Sequence, residues 1–503
     1  MGIIKIRKRI GGARRKDDTM AYQNYGEIRW KICCGDTGSE IRDRALRVLY
    51  GTVRQYLPYI LTVCRDGAGV SADDHVIYLG TLASNPELKR LAEAGAFVPE
   101  TRREGYAIRV ADSETRPGRT DIIIQGADDA GVLYGVFEFI HAYLDDRLKY
   151  AGYHYEKPVK PFTDPCIPFE AHGAPAIVNR GLWTWGHKIY DYRGYFENMA
   201  RCRMNLVVIW NDSAPLNARE VVAYAHSCGI RVIWGFTCAW GEDVAVDPCN
   251  PEEAVKWGKR ILSAWENEYA ATGADGVYFQ AFTERNETEI DGKPIAQLVT
   301  DFINRTTEPL RTAHPELTVE FGLHATSIRE NYGMLAGLRR DVTPVWEDCG
   351  GFPYHYDPRQ GSVEEALDYT KKLVQLAGHG GRFGVVLKGF TVLKWKKFEH
   401  YKGTILLGET DVQARRRILE SRQFYWKFCE PYWLEHAGDL AAWVRAVAAG
   451  GLSDSTVTAL VEDGAFEEEI PPSVGLFADL MWDPDQKISD VVEKIYHSEH
   501  FGH

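Results

Sequence analysis

No window of the 503-residue chain approaches the roughly 20 consecutive apolar residues of a membrane-spanning helix. Its ten cysteines include no Cys-x-x-Cys pair, and Cys33 and Cys34 are adjacent, so neither a zinc framework nor a disulfide framework is spaced out. That usage fits buried free thiols in a reducing compartment. Positive charge is in deficit: 59 Lys and Arg against 71 Asp and Glu leave a net charge of −12. This argues against a general binder of nucleic acid or of anionic membranes. The basic residues Lys5, Arg7, Lys8, Arg9, Arg14, Arg15 and Lys16 crowd the start and interrupt any apolar stretch of the secretory kind, so a flexible tail over 1–25 and a cytoplasmic location are expected. No P-loop, no Gly-x-Ser-x-Gly and no Gly-x-Gly-x-x-Gly is present. His187, His226 and His324 lack His-x-x-x-His spacing, so neither a metal nor a cofactor is expected.

What is present is ordinary globular composition, 45% hydrophobic and 26% charged, on a chain long enough for two domains. Residues 26–160 read as a small α+β domain. A helical pattern over 40–62 precedes strand-like runs at 75–79, 106–110 and 121–124. Asp128 and Asp129 then mark a helix start, with Gly131 and Gly135 allowing close packing on strands. The stretch 161–176 carries Pro161, Pro165, Pro168 and Pro175 and reads as a linker.

Beyond it, over 177–503, strand and helix alternate. Strand candidates are 177–183, 206–212, 231–236, 276–284, 317–324, 342–347 and 383–389, with an eighth placed at 474–482 after a helical excursion. Repeated β-then-α units imply a parallel sheet with right-handed crossovers. A TIM-type (β/α)8 barrel preceded by a small α+β domain is therefore preferred to a doubly wound sheet, and the last part of the chain is expected to be helical.

In such a barrel, function sits at the C-terminal ends of the strands. Those ends are polar and aromatic here: Trp183-Thr-Trp185, Trp210-Asn-Asp212, Thr283-Glu284, His324, Trp346-Glu-Asp348 and Lys388. Period two on the fourth strand puts Tyr278, Gln280, Phe282 and Glu284 on one face, which would set Glu284 at the crown of the interior. A helix cap or a surface pair with Arg285 is the bland alternative. On the fifth strand Thr318, Glu320, Gly322 and His324 share a face. Glu347 and Asp348 point to opposite sides, so at most one faces the site, and either could supply the second carboxylate that glycosidic cleavage needs. Trp183, Trp185, Trp210, Trp240, Trp346 and Trp395 lie at or near strand ends. Sugar rings stack their C–H faces on such platforms, although ordinary core packing accounts for some of them.

Asn179-Arg-Gly-Leu-Trp-Thr-Trp185, the helix Asp191-Tyr-Arg-Gly-Tyr-Phe-Glu-Asn-Met-Ala-Arg-Cys-Arg-Met-Asn205 and Ile209-Trp-Asn-Asp212 resemble the barrel opening of family 20 β-hexosaminidases. Asp129-Ala-Gly-Val-Leu-Tyr-Gly-Val-Phe137 looks like the end of the domain that precedes the barrel in families 20 and 67, the latter α-glucuronidases. The resemblance, over about residues 120–290, implies that Arg180 and Asp212 bind sugar hydroxyls and that Glu284 is the general acid. Family 20 has an Asp-Glu pair where this chain has Thr283-Glu284, so the partner that orients an acetamido group is missing. An outlying member of this superfamily is the resulting description.

The expected function is exo-acting hydrolysis of a terminal sugar, a hexose or a uronic acid. Glu284 would be the acid and Glu347 or Asp348 the base or nucleophile. Arg180, Asp212, Arg285, His324 and Lys388 would hold hydroxyls or a uronate. A sugar-binding protein on a degenerate barrel, a β-N-acetylhexosaminidase-like enzyme, and an isomerase or lyase are the alternatives. The expected partner is a carbohydrate, not nucleic acid or membrane, and the oligomeric state is open between monomer and homo-oligomer.

Overall fold

The computed structural model describes residues 29–36, 38–56, 61–145, 167–185, 189–210, 213–237, 247–280, 282–347, 362–390, 405–408, 427, 430–461 and 465–496. The chain divides into two units, Met1–His172 and Gly173–His503.

The first unit contains β1 (Arg29–Cys33), α1 (Glu40–Tyr56), β2 (Leu61–Cys64), β3 (Asp74–Gly80), α2 (Pro86–Glu93), β4 (Tyr106–Asp112), β5 (Thr120–Gly126), α3 (Asp129–Glu138) and β6 (Phe169–Gly173). The strands form one sheet in the order β2-β1-β3-β5-β4-β6, with β1, β2, β3 and β5 parallel and β4 antiparallel to β5. The helix expected to reach residue 62 ends at Tyr56, two residues before Pro58. Proline disfavours the helical region for the residue before it. The run Leu61-Thr-Val-Cys64, with β-branched Thr62 and Val63 at its centre, is a strand. Another strand, β6, lies inside the proline-rich stretch read as linker.

The start of α3 is as the sequence implies. The Asp128 carboxylate accepts from the Gly131 amide at 2.9 Å and from the Glu104 amide at 2.8 Å, satisfying a free helix donor. Gly131 lies so close to Gly105 that a Cβ there would overlap its carbonyl oxygen.

The second unit is a closed eight-stranded barrel. In chain order its strands are β7 (Asn179–Trp185), β8 (Leu206–Trp210), β9 (Arg231–Thr237), β10 (Gly276–Gln280), β13 (Thr318–Leu323), β14 (Thr343–Trp346), β15 (Arg382–Phe390) and β16 (Asp454–Val461); β11 (Glu289–Ile290) and β12 (Lys293–Pro294) form a small hairpin outside it. All barrel pairings are parallel. The helices between them include α4 (Tyr192–Arg201), α5 (Ala218–Ser227), α6 (Pro251–Ala264), α7 (Ile295–Ala313), α8 (Val363–Ala377) and α9 (Ala437–Ala448). The expected (β/α)8 architecture is present.

The eighth strand is Asp454–Val461, not 474–482. Residues 472–482 form a helix, α10 (Pro472–Trp482), buried along its whole length. A continuous apolar run carries no period that separates a strand from a buried helix. Pro472 at the first helical turn favours the helix. The true strand reads Asp-Ser-Thr-Val-Thr-Ala-Leu-Val, whose threonines mask its β alternation in a simple apolar count.

Inside the barrel, Trp183, Leu206, Val208, Trp210, Ile233, Tyr278, Val345, Val386 and Leu460 form one buried cluster. The opposite faces of the strands meet the helices: Phe279 and Phe321 pack edge to face at 4.5 Å.

Candidate active site at the barrel mouth

Three aromatic side chains from adjacent parts of the barrel fill its upper interior. Trp183 on β7, Trp210 on β8 and Tyr278 on β10 contact one another edge to face, with ring centroids 5.6 to 5.8 Å apart. Both indole N–H groups are buried and have no hydrogen-bond partner among the described residues. A buried orphan donor costs about 1–3 kcal/mol, and a ligand oxygen would recover it.

Next to them stands Glu347, the first residue past β14, with its side chain fully buried. The Tyr278 hydroxyl donates to one carboxylate oxygen and the Gln280 amide to the other. His324 Nε2 lies 3.5 Å from the second oxygen. The Glu347 amide continues the ladder by donating to the Leu323 carbonyl at 3.0 Å. Room for the carboxylate is made on β13 by Gly322, where a Cβ would overlap both Glu347 Oε1 and the Tyr278 hydroxyl. Burial, and then the Glu347 charge, hold the Tyr278 phenol well above its ordinary range, so it stays a proton donor.

Deeper in the barrel lies a second carboxyl. Burial pushes Glu320 up to about 8, reinforced by the Asp454 charge and opposed by Arg231. Asp454 is itself held by Asn179 and by Arg382 at 3.2 Å, and Arg231 donates to Asn179. Polar side chains from five strands thus close the inner end of the barrel.

The end of the fourth strand departs from the alternation read in the sequence. Tyr278 and Gln280 do point inward, but β10 stops at Gln280, where its pairing with Gly322 stops. Past that point period two no longer applies. Phe282 packs outward on Phe302 of α7, at 5.3 Å between ring centroids. Thr283 turns inward and is fully buried. Its hydroxyl accepts from the His324 amide at 3.0 Å, and its carbonyl accepts from the Ser327 hydroxyl at 2.7 Å and the Arg285 amide at 2.9 Å. Glu284 follows this clamped residue and is solvent-exposed, with Arg285 half-buried beside it. Glu284 therefore lies past the strand end, not on the inward face with Tyr278 and Gln280.

The structure brings together Trp183, Trp210, His324 and Glu347 of the residues read from the sequence. Trp346 turns the other way, as strand alternation requires, and stacks on Trp443 of α9 at 5.8 Å. Arg180 is also outside the interior group. Its guanidinium donates to the carbonyls of Ile177, Val178 and Arg203 at 2.8 to 3.1 Å and lies over the Trp482 ring at 5.5 Å. Trp185 and Lys388 belong to β7 and β15 by their backbones. Asp212, Trp240, Asp348 and Trp395 lie outside the described residues. Sequence reasoning had Tyr278, Gln280 and Glu320 on inward faces but assigned them no role. Thr283 it read only as a substitution. Among the described residues no group of three or more His, Cys, Asp or Glu is placed to hold a metal ion, and no helix is long and apolar enough to cross a membrane.

No protein-family model matches the chain, and no curated protein matches it. Solved structures do. A family GH138 enzyme targeting pectin rhamnogalacturonan II superposes with a TM-score of 0.51 at 13% identity, covering 91% of this chain and 64% of that one. A family GH115 4-O-methyl-α-glucuronidase with specificity for decorated arabinogalactans gives 0.50 at 14%, covering 92% and 58%. A mutant Streptomyces plicatus β-hexosaminidase gives 0.51 at 12%, covering 93% and 89%. The fold is that of these glycoside hydrolases. The resemblance to the family 20 barrel is thus borne out at the level of fold, at a distance of 12% identity. The chain spans about three fifths of the length of the first two.

Proposed function

We propose that the chain is an exo-acting glycoside hydrolase that removes a terminal hexose or uronic acid. The observation that carries this reading is Glu347: a carboxylate at the C-terminal end of a barrel strand, gripped by Gln280 and by Tyr278, whose ring packs on Trp183 and Trp210. Barrel enzymes place their chemistry at that end. Donors aimed at both oxygens suit the carboxylate anion, the form that a nucleophile or general base requires. The two indoles supply N–H donors, without partners among the described residues, that sugar oxygens would satisfy.

In this mechanism Glu284 protonates the departing glycosidic oxygen. Its exposure at the rim suits contact with the leaving group, which departs toward solvent. Glu347 supports the developing positive charge at the anomeric carbon and either attacks it or activates water; Asp348 is the alternative second carboxylate. The half-buried Arg285, with Lys388, is the natural partner for the carboxylate of a uronic acid.

The test is a panel of chromogenic glycosides, uronides and N-acetylhexosaminides included, offered to wild type, Glu284→Gln and Glu347→Gln. Cleavage by wild type and loss of about 100-fold or more in each variant is the expected result. Full activity in Glu284→Gln removes it as the acid, and full activity in Glu347→Gln removes the assignment of the interior carboxylate. A second reading, sugar binding without turnover, is favoured by Thr283 standing where family 20 has the Asp of its Asp-Glu pair. Calorimetric binding of a sugar that no protein in the panel cleaves would establish it.

A further inference from the structure

The first unit carries a thiol pair unrelated to the barrel. Cys33 ends β1 and Cys64 ends β2, and the two are direct register partners on parallel strands. They share one face of the sheet: Cys33 belongs to the buried cluster with Val76, Tyr78 and Leu88, and Cys64 packs against that same cluster. Neighbouring strands run about 4.8 Å apart. That spacing falls within the Cα separation of about 4.4–6.8 Å usual for a disulfide.

Both cysteines are free, and they differ in access. Cys33 is buried, whereas Cys64 is partly exposed on the edge strand of the sheet. Interaction between the two thiols holds Cys64 below its ordinary value, with help from Lys31, and pushes Cys33 up. An accessible, more acidic thiol beside a buried second one is the arrangement of an attacking and a resolving cysteine. Cys34 is the competing neighbour. Its Sγ lies 3.6 Å from the Cys64 carbonyl, but it stands one residue beyond the register position.

We propose that Cys33 and Cys64 are a redox-modification site, which a low-molecular-weight disulfide such as glutathione disulfide converts to an intramolecular disulfide joining β1 and β2. The Cys64 thiolate attacks one sulfur of the small disulfide, forming a mixed disulfide and releasing one small thiol. Cys33, giving its proton to solvent, then attacks the Cys64 sulfur and releases the second. The protein loses two electrons and two protons, and one small disulfide becomes two thiols.

The experiment treats the reduced full-length protein with glutathione disulfide, alkylates the remaining thiols, digests with trypsin and sequences linked peptides by mass spectrometry. Cleavage after Lys31, Arg42, Arg54 and Arg65 places Cys33 and Cys34 on one peptide and Cys64 alone on another. The expected product is that linked pair, lighter by two hydrogens than the sum of its parts, with fragmentation locating the bond at Cys33. It should persist in Cys34→Ala, disappear in Cys33→Ala and Cys64→Ala, and reverse with dithiothreitol. A bond located at Cys34, a stable glutathione adduct on Cys64, or an unmodified Cys64 would each overturn the proposal, and each is read from wild type alone.

Discussion

Replacing Glu320 by glutamine isolates the cost of one carboxyl sealed inside a barrel. The folded chain holds the Glu320 proton up to about 8, against an ordinary 4.5 for a glutamic acid in the unfolded chain. Folding therefore takes up a proton between these values. The folded state is unpenalised below 4.5, loses stability steadily as pH rises through the window, and reaches its full penalty above 8. At about 1.36 kcal/mol per pH unit, the penalty is under about 1 kcal/mol at pH 5, about 3 at pH 7 and at most about 5 above pH 8. Glutamine keeps the shape and never ionises, so Glu320→Gln removes the slope. Thermal melts of both proteins from pH 5 to pH 8.5 should start nearly coincident and diverge, the variant melting about 4 °C higher by pH 7 for a domain of this size. The neighbouring charges, Asp454 raising the carboxyl and Arg231 lowering it, set the magnitude but not the sign. A gap between the two melting curves that is constant with pH, or that closes toward alkaline pH, would refute the reasoning.

Gly322→Ala should put a methyl group into the space taken by the Glu347 carboxylate and the Tyr278 hydroxyl. A loss of activity of about 100-fold, with about 1–3 kcal/mol of destabilisation, is expected from kinetics and melting on the same preparation. Tyr278→Phe removes one donor to Glu347 and should lower kcat about 10- to 100-fold while leaving KM within a factor of about three. Arg180→Met should leave the Ile177, Val178 and Arg203 carbonyls short of donors and cost about 3 kcal/mol in stability. Its kcat/KM on a cleaved glycoside should be unchanged; a raised KM with unchanged melting would restore the sugar-binding role that family resemblance gives it.

Much of the site was legible because strand alternation is local. Tyr278 and Gln280 could be assigned inward, Glu347 set opposite Asp348, and Glu320 put on the inner face of its strand, all from period two. The same rule failed at Glu284, since the ladder holding β10 extended stops at Gln280 and Thr283 is then drawn inward by His324 and Ser327. Those partners come from the following strand and the turn beyond it, so no local pattern announces them. Arg180 was misleading for a related reason: an arginine beside a strand's glycine looks like a ligand for substrate until the carbonyls around it are in place.

The sequence by itself determined the repeating β/α order, the parallel sheet it forces, the preceding α+β unit and its capped helix. These follow from hydrophobic period and capping chemistry, which act over a few residues. Tertiary structure alone decided which segment closes the barrel. The apolar run 472–482 became a buried helix and the threonine-rich 454–461 took the eighth place, because only there does a strand find both β15 and β7 to pair with. It also decided that Glu347, rather than Glu284, occupies the interior, because a buried carboxylate needs donors and a gap, and Tyr278, Gln280 and Gly322 supply both from other strands.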